Sequence, residues 1–134
     1  MKHPVLLLTA LLLFAGIGFN CHHDKVSLQP TPLTGKLVLN GPCGQYVVQV
    51  LSGNIDSARI VKSWTIPGDT NYSNVFAVSN SCTFGEYKLS RNDVFTFALN
   101  DTSYVQTCML CMIYSPTPGI SNIVSHVQLV SKGQ

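Results

Sequence analysis

The residues of this chain that carry the most chemistry are its cysteines: Cys21, Cys43, Cys82, Cys108 and Cys111, the last two forming a C-x-x-C. Cys43, Cys82, Cys108 and Cys111 fall in the part that reads as a folded domain, and three chemistries compete for them. In an exported domain of this size the leading reading is structural disulfides, each worth roughly 2 to 4 kcal/mol, a large share of what a small core supplies. The alternative is metal. Four thiolates make a tetrahedral zinc site, the C-x-x-C provides half of the usual spacing, and Met109 and Met112 are soft enough for Cu(I). A second C-x-x-C is missing, however, and Cys43 and Cys82 would be isolated ligands. Thiol exchange is the third reading, but such motifs sit at a helix N-terminus that lowers the thiol pKa, whereas this one lies in a β-rich stretch. Covalent haem is excluded because Met112, not histidine, follows Cys111.

Strand geometry bears on the pairing. If residues 106–114 form one continuous strand, Cys108 and Cys111 are about 10 Å apart at roughly 3.3 Å per residue and point to opposite faces. A disulfide needs Cα atoms within about 7 Å. In an up-and-down meander Cys43 and Cys82 also lie at opposite ends of the sheet. This favours one bridge from each to the C-x-x-C, Cys43 to Cys108 and Cys82 to Cys111, with Cys43 to Cys82 and Cys108 to Cys111 as the alternative.

Other reactive groups are dispersed. Asp56, Asp69, Glu86, Asp93 and Asp101 stand singly beside turn residues, which suits turn and cap hydrogen bonding better than paired acid and base work. His22 and His23 fall in a polar tether, and His126 alternates onto a face with Val124 and Gln128. No G-x-S-x-G, H-E-x-x-H, phosphate loop or dinucleotide fingerprint occurs, so the expectation is a protein that is not an enzyme and holds no cofactor. Tyr46, Trp64, Tyr72, Tyr87, Tyr104 and Tyr114 are enough aromatics for a stacking surface, although completing a small β core is the simpler use. Asn71-Tyr72-Ser73 and Asn100-Asp101-Thr102 match the glycosylation acceptor pattern, which matters only in a eukaryotic secretory route.

At the N-terminus, Met1, Lys2 and His3 precede an apolar run from Val5 to Phe19 that ends at Asn20, Cys21, His22, His23, Asp24 and Lys25. This is the anatomy of a secretory signal peptide, and the run falls short of the roughly 20 apolar residues of a spanning helix. A cysteine directly after such a run, followed by polar residues, resembles the lipobox of bacterial lipoprotein precursors. The resemblance covers residues 1–21, with Gly18, Phe19 and Asn20 where that family usually has Leu, a further residue and a small one. It implies cleavage before Cys21, acylation of Cys21, and a membrane as partner. Cleavage after Gly18, giving a soluble protein with a free thiol, and an uncleaved anchor are the rival outcomes. Parity favours lipid on Cys21, since it leaves four cysteines that can all pair.

The elements that must position these groups are β. The 134 residues allow one domain, and 10% charged residues with a net charge of +2 lack the positive field of a nucleic-acid binder; Lys62, Lys88 and Arg91 are too few. The mean hydropathy of +0.24 owes much to the export segment. We expect a signal peptide over 1–20, a lipidated N-terminus and flexible tether over 21–35, rich in Pro30, Pro32 and Thr, and a β-domain over 36–134. Helix formers are scarce there, with Glu86 the single glutamate. Strands are expected over 36–40 running on to 45–51, then 59–66, 74–79, 93–100, 106–114 and 123–130, with Phe95, Phe97 and Leu99 on one face and Ile123, Val127 and Leu129 on another. Five to seven short strands separated by Gly, Pro and Asn turns specify an all-β fold, a single small antiparallel barrel or sandwich, OB-like being possible from the turn-then-strand pattern of 89–97. The function expected is that of a small exported lipoprotein, a noncatalytic cell-envelope or surface protein whose partner is an unknown protein or glycan; the competing class is a thiol-based metal or redox protein.

Overall fold

In the computed structural model, which describes residues 31–66, 68–109, 111, 113 and 116–134, the β-rich composition resolves into seven strands. These are β1 (Leu33–Asn40), β2 (Tyr46–Ser52), β3 (Trp64–Thr65), β4 (Asn71–Tyr72), β5 (Val75–Val78), β6 (Val94–Asn100) and β7 (Ser121–Ser131). A short helix α1 (Ser81–Gly85) follows β5. Five strands close into a barrel in the order β1-β2-β5-β7-β6, and β3 pairs with β4 as a separate hairpin. All barrel neighbours are antiparallel except β5 and β7. The fold is thus a small all-β barrel with an OB-like order of strands and helix. The export segment, Cys21, His22 and His23 lie outside the described residues.

Two apolar clusters hold it together. Inside the barrel, Leu37, Val48, Phe76, Phe95, Phe97 and Val124 are almost fully buried. Phe97 packs tilted between Phe76 (centroids 5.9 Å apart) and Phe95 (5.7 Å). Phe84 of α1 plugs one mouth of the barrel against Phe95 and Tyr46. Gly35 is also buried, beside a bulge in β1, where a Cβ would come within 2.8 Å of both Phe97 and Val48. The second cluster is on the outer surface: Val38, Val47 and Val75 are fully buried under Val61, Trp64 and Tyr72. Strands β1, β2 and β5 are therefore buried on both faces, because the β3–β4 hairpin folds back over them. The hairpin is fastened at its root by Val61 bridging Val75 (2.7 and 2.9 Å) and at its tip by Arg91, which pairs with Asp69 and donates to the Tyr72 hydroxyl (3.0 Å).

Several expected elements are corrected. β1 begins at Leu33, three residues before the expected start of the first strand. Residues 59–66 do not form a barrel strand; they contain the end of a 3-10 turn (Ser57–Arg59), a single bridge and β3, because this segment covers the barrel instead of joining it. No strand occurs among the described residues of 106–114. The expected shared face of Ile123 and Val127 is also wrong: Val124 is the buried residue, and a bulge at His126 (φ 53°) inserts one residue so that Val127 returns to the core side. Phe95, Phe97 and Leu99 do share the inner face.

The β5–β7 contact that completes the barrel has only two register pairs, Ala77↔Ser121 and Val78↔Asn122. Asn80, itself buried, extends it. Its side-chain Nδ2 donates to the Val124 carbonyl at 2.8 Å and its Oδ1 accepts from the Val124 N–H at 2.9 Å, so one amide side chain imitates the next step of a ladder. Asn80→Ala would leave both Val124 groups unpaired in the interior and is expected to destabilise the domain by about 2 to 4 kcal/mol, read as a lower urea midpoint with unchanged slope.

Asp93 fixes the opposite flank. Its carboxylate, with no exposed surface, accepts from the Ser90 N–H (2.9 Å), the Gly133 N–H (2.8 Å) and Lys132 Nζ (3.1 Å), while its carbonyl accepts from the Leu37 N–H. Gly133 must be glycine, since a Cβ would lie 2.5 Å from Asn92. The Ser90 and Gly133 amides, and then Lys132, outweigh desolvation and hold the Asp93 pKa below its ordinary value of 3.8. The unfolded chain therefore binds more protons at acid pH, so this stabilisation is complete above the ordinary carboxylate range and is lost as pH falls through it toward the lower folded value. Asp93→Asn is expected to reduce stability by about 2 to 3 kcal/mol at pH 7. Denaturation series at pH 7 and pH 3 should show the gap between the two proteins narrowing at the lower pH.

Candidate functional site

The connection from β6 to β7 spans residues 101–120, longer than the about 12 to 15 residues at which an irregular loop becomes unusual and is commonly functional. Polar and proline-interrupted, it has no regular element among its described residues. Order comes instead from covalent and polar ties. Cys82 of α1 bonds Cys108 (Cα–Cα 5.6 Å), and Cys43 in the β1–β2 turn bonds Cys111 (5.2 Å), both separations being ordinary for disulfides. Gln45 adds a third tie: its side-chain Nε2 donates to the Ile113 carbonyl at 3.1 Å, while its Oε1 accepts from the Cys43 N–H at 3.2 Å. At the far end the Ile120 carbonyl accepts from the Ala77 N–H at 2.9 Å, delivering the chain to β7.

One bridge does run from each of Cys43 and Cys82 to the C-x-x-C, but the partners are exchanged relative to the expectation of Cys43 with Cys108 and Cys82 with Cys111. The alternative of Cys43 with Cys82 and Cys108 with Cys111 is not found either. The reason is topological. Because residues 59–66 lie outside the barrel, β5 is the third barrel strand and ends beside the β1–β2 turn, so Cys43 and Cys82 flank the same rim. The loop meets α1 first and the turn second. All four sulfurs are consumed in these bridges and do not converge on one point; among the described residues no group of three or more His, Cys, Asp or Glu could hold a metal.

The stapled loop displays apolar side chains to water. Met109 is 98% exposed, Val105 77% and Ile113 59%. Against the loop a small cavity of about 210 Å³ lies between Gln45, Tyr46, Val78, Cys111 and Thr117. The sequence held a signal for this surface that motif searching passes over: from Thr102 to Ser131 there is no Asp, Glu, Lys or Arg.

The remaining candidates are structural. Trp64 and Tyr72 pack on the outer cluster and Tyr46 on the inner one, so these three aromatics complete cores, while Tyr87 meets Phe84 edge-on from an exposed position. Tyr104 is half-buried, with its hydroxyl enclosed and unpartnered among the described residues; Tyr114 and Met112 lie outside them. Asp56 caps the 3-10 turn, Asp69 pairs with Arg91, Asp101 pairs with Arg59, and Glu86 follows α1. The Thr70 N–H and then Arg91 lower the Asp69 pKa. His126 is exposed at its bulge, with Nδ1 3.1 Å from the Ser125 hydroxyl. Asn71 Oδ1 accepts from the hydroxyls of Ser63 and Thr65, and Asn100 Oδ1 from the Thr102 N–H. Comparison with protein-family models, curated proteins and solved structures finds no match for this chain.

The connectivity is directly readable. Cyanogen bromide cleaves after Met109 and so separates Cys108 from Cys111, while trypsin separates Cys43 from Cys82 at Arg59 and Lys62. Without reductant, the peptide holding Cys43 is expected to carry the fragment 110–112, and the peptide holding Cys82 to carry the one ending at Met109. The opposite linkage, or four alkylatable thiols in freshly isolated protein, would refute the pairing.

Proposed function

We propose that the chain is a small exported protein of the bacterial cell envelope, anchored through lipid on Cys21, which acts without catalysis by presenting its stapled loop to a protein partner. The observation that carries this reading is the pair of disulfides, both joining the barrel to one loop whose Met109, Val105 and Ile113 are held out in water. A loop buried for stability would turn such side chains inward; apolar groups held outward by cross-links suit recognition. Met109 adds a flexible, polarisable side chain suited to an adaptable apolar contact. The disulfides also support export, since they persist in oxidising compartments. The thiol-based metal or redox alternative loses its ligands when all four sulfurs are paired.

The partner is a protein with an uncharged apolar surface, on grounds of geometry and charge. The chain enters the barrel at Leu33, level with Phe97, whereas the bridges lie beyond Asn40 and Tyr46 at the other end. A tether running to a lipid on Cys21 would leave the Met109 crest directed away from its own membrane. The absence of charge from Thr102 to Ser131 disfavours an ionic partner.

Two measurements on the native protein test this. Intact mass should give a polypeptide beginning at Cys21 with acyl chains added; one beginning at Phe19 would sink the lipid anchor. A photo-crosslinking residue at Met109 in intact cells should give one discrete protein adduct, reduced at least fivefold by Val105→Ser, while the same residue at Asn54 gives none. Equal labelling from both positions, or no adduct at Met109, would sink the docking role.

A further inference from the structure

Beside the end of β5, the 3-10 turn, the start of the long loop and the start of β7 enclose an open cleft of about 430 Å³, within the range of small-molecule sites. It is independent of the Met109 crest. Its wall is built around Asn122, which is only 8% exposed. Asn122 Nδ2 donates to the Arg59 carbonyl at 2.8 Å and its own carbonyl accepts from the Ser79 N–H at 3.0 Å, so the residue is pinned on two sides. Its Oδ1 accepts no hydrogen bond among the described residues, and the residue lines the cleft.

On the rim, Arg59 pairs with Asp101 through one guanidinium nitrogen and one carboxylate oxygen. Each has hydrogen-bonding capacity left over, donors on Arg59 and an acceptor on Asp101. Their charges cancel. An anion drawn by Arg59 would meet Asp101, and a cation drawn by Asp101 would meet Arg59, so neither is selected. Asn100 uses its Oδ1 on the Thr102 N–H at 3.1 Å, which leaves its amide NH₂ as a donor. Hydroxyls of Ser79, Thr102 and Ser121 can both give and accept, and Ile120 with Ile123 adds apolar surface.

Interleaved donors and acceptors, balanced charge and an apolar patch match a ligand whose own groups both donate and accept and which carries C–H faces. We infer that this cleft binds a neutral polyhydroxylated ligand, a sugar residue of a glycan. Arg59 would donate to, and Asp101 and Asn122 accept from, adjacent hydroxyls, while ring C–H groups lie on Ile120 and Ile123. Because the cleft is open and its polar groups are hydrated, the affinity for a single sugar is expected to be weak, on the order of millimolar.

Saturation-transfer NMR on the full native protein can compare three methyl-bearing probes: methyl β-glucopyranoside, monomethyl phosphate and tetramethylammonium. The sugar is expected to give the largest transfer. Ser79→Trp, which fills the cleft and leaves the backbone contact to Asn122 in place, should lower the sugar signal at least tenfold. Ala58→Trp on the opposite wall serves the same purpose should the first variant not fold, and thermal unfolding identifies that case. Asp101→Asn should weaken the sugar several-fold and bring in monomethyl phosphate, since Arg59 is then unbalanced. A wild-type preference for either ion, absence of sugar transfer, or a sugar signal that survives both tryptophan variants would overturn the assignment.

Discussion

The barrel is closed by a side chain where strand pairing runs out. β5 and β7 share two register pairs in the parallel sense, and beyond Asn122 the strands diverge. Asn80 bridges the gap with both halves of its amide, which is why it stands at the N-cap position of α1 without capping it: Nδ2 and Oδ1 are already bound to Val124. Much else follows from that placement. α1 begins there, which puts Phe84 into the barrel mouth against Phe95 and sets Cys82 on the rim. The loop that Cys82 holds then returns to β7 at Ser121, three residues before the Val124 that Asn80 secures. A closed barrel has no open sheet edges, but in so small a domain the last seam is short, and a buried amide with both ends satisfied is the least costly way to seal it.

A second constraint decides where function can reside. In barrels of this connectivity the outer face of the second and third strands is a common ligand platform. That face is occupied here. Val47 and Val75 are sealed under Trp64, Tyr72 and Val61, and the hairpin tip is locked by Arg91. The ion pair of Arg91 with Asp69 is partly exposed and contributes little by itself; the apolar contact beneath it does the holding. With its central platform closed, the domain offers two separate surfaces: the apolar crest fastened by disulfides and the polar cleft beside Arg59. They differ in chemistry as well as position, one without charge and one with charge in balance.

How far the sequence discloses this depends on how local each signal is. The alternation of Phe95, Phe97 and Leu99 places β6 correctly because a single strand with one buried face writes its own pattern. Val47-Val48 and Val75-Phe76 carry no such alternation, since both faces are buried, and the hairpin responsible is remote in sequence. Residues 106–114 resemble a strand in composition, yet their partners are the cysteines of two other elements and Pro116 and Pro118 follow, so covalent ties override propensity. In β7 a one-residue bulge at His126 reverses the phase of everything after it, which no period-two count detects. The exchanged disulfide partners have a separate cause: counting 59–66 as part of the sheet inverts the end of the barrel at which Cys82 sits. The candidate site was legible only as four cysteines, because the Asn122 cleft is assembled from three segments and has no motif.

The location of the disulfides also bears on what they stabilise. Neither joins two barrel strands; each joins the barrel to the loop, closing circuits with sequence separations of 68 and 26 residues. In a chain-entropy description such circuits correspond to about 4.4 and 3.5 kcal/mol respectively. The barrel has its own means of closure in the Phe76, Phe95 and Phe97 core, Asn80 and Asp93. The loop has no comparable core and exposes the apolar side chains it does possess. Left free, a long uncharged segment bearing Val105, Met109 and Ile113 would collapse on the nearest apolar surface or on another copy of itself. Two covalent ties three residues apart remove that freedom and hold the crest in one shape, lowering the ordering entropy that a flexible loop would surrender on contact with a partner.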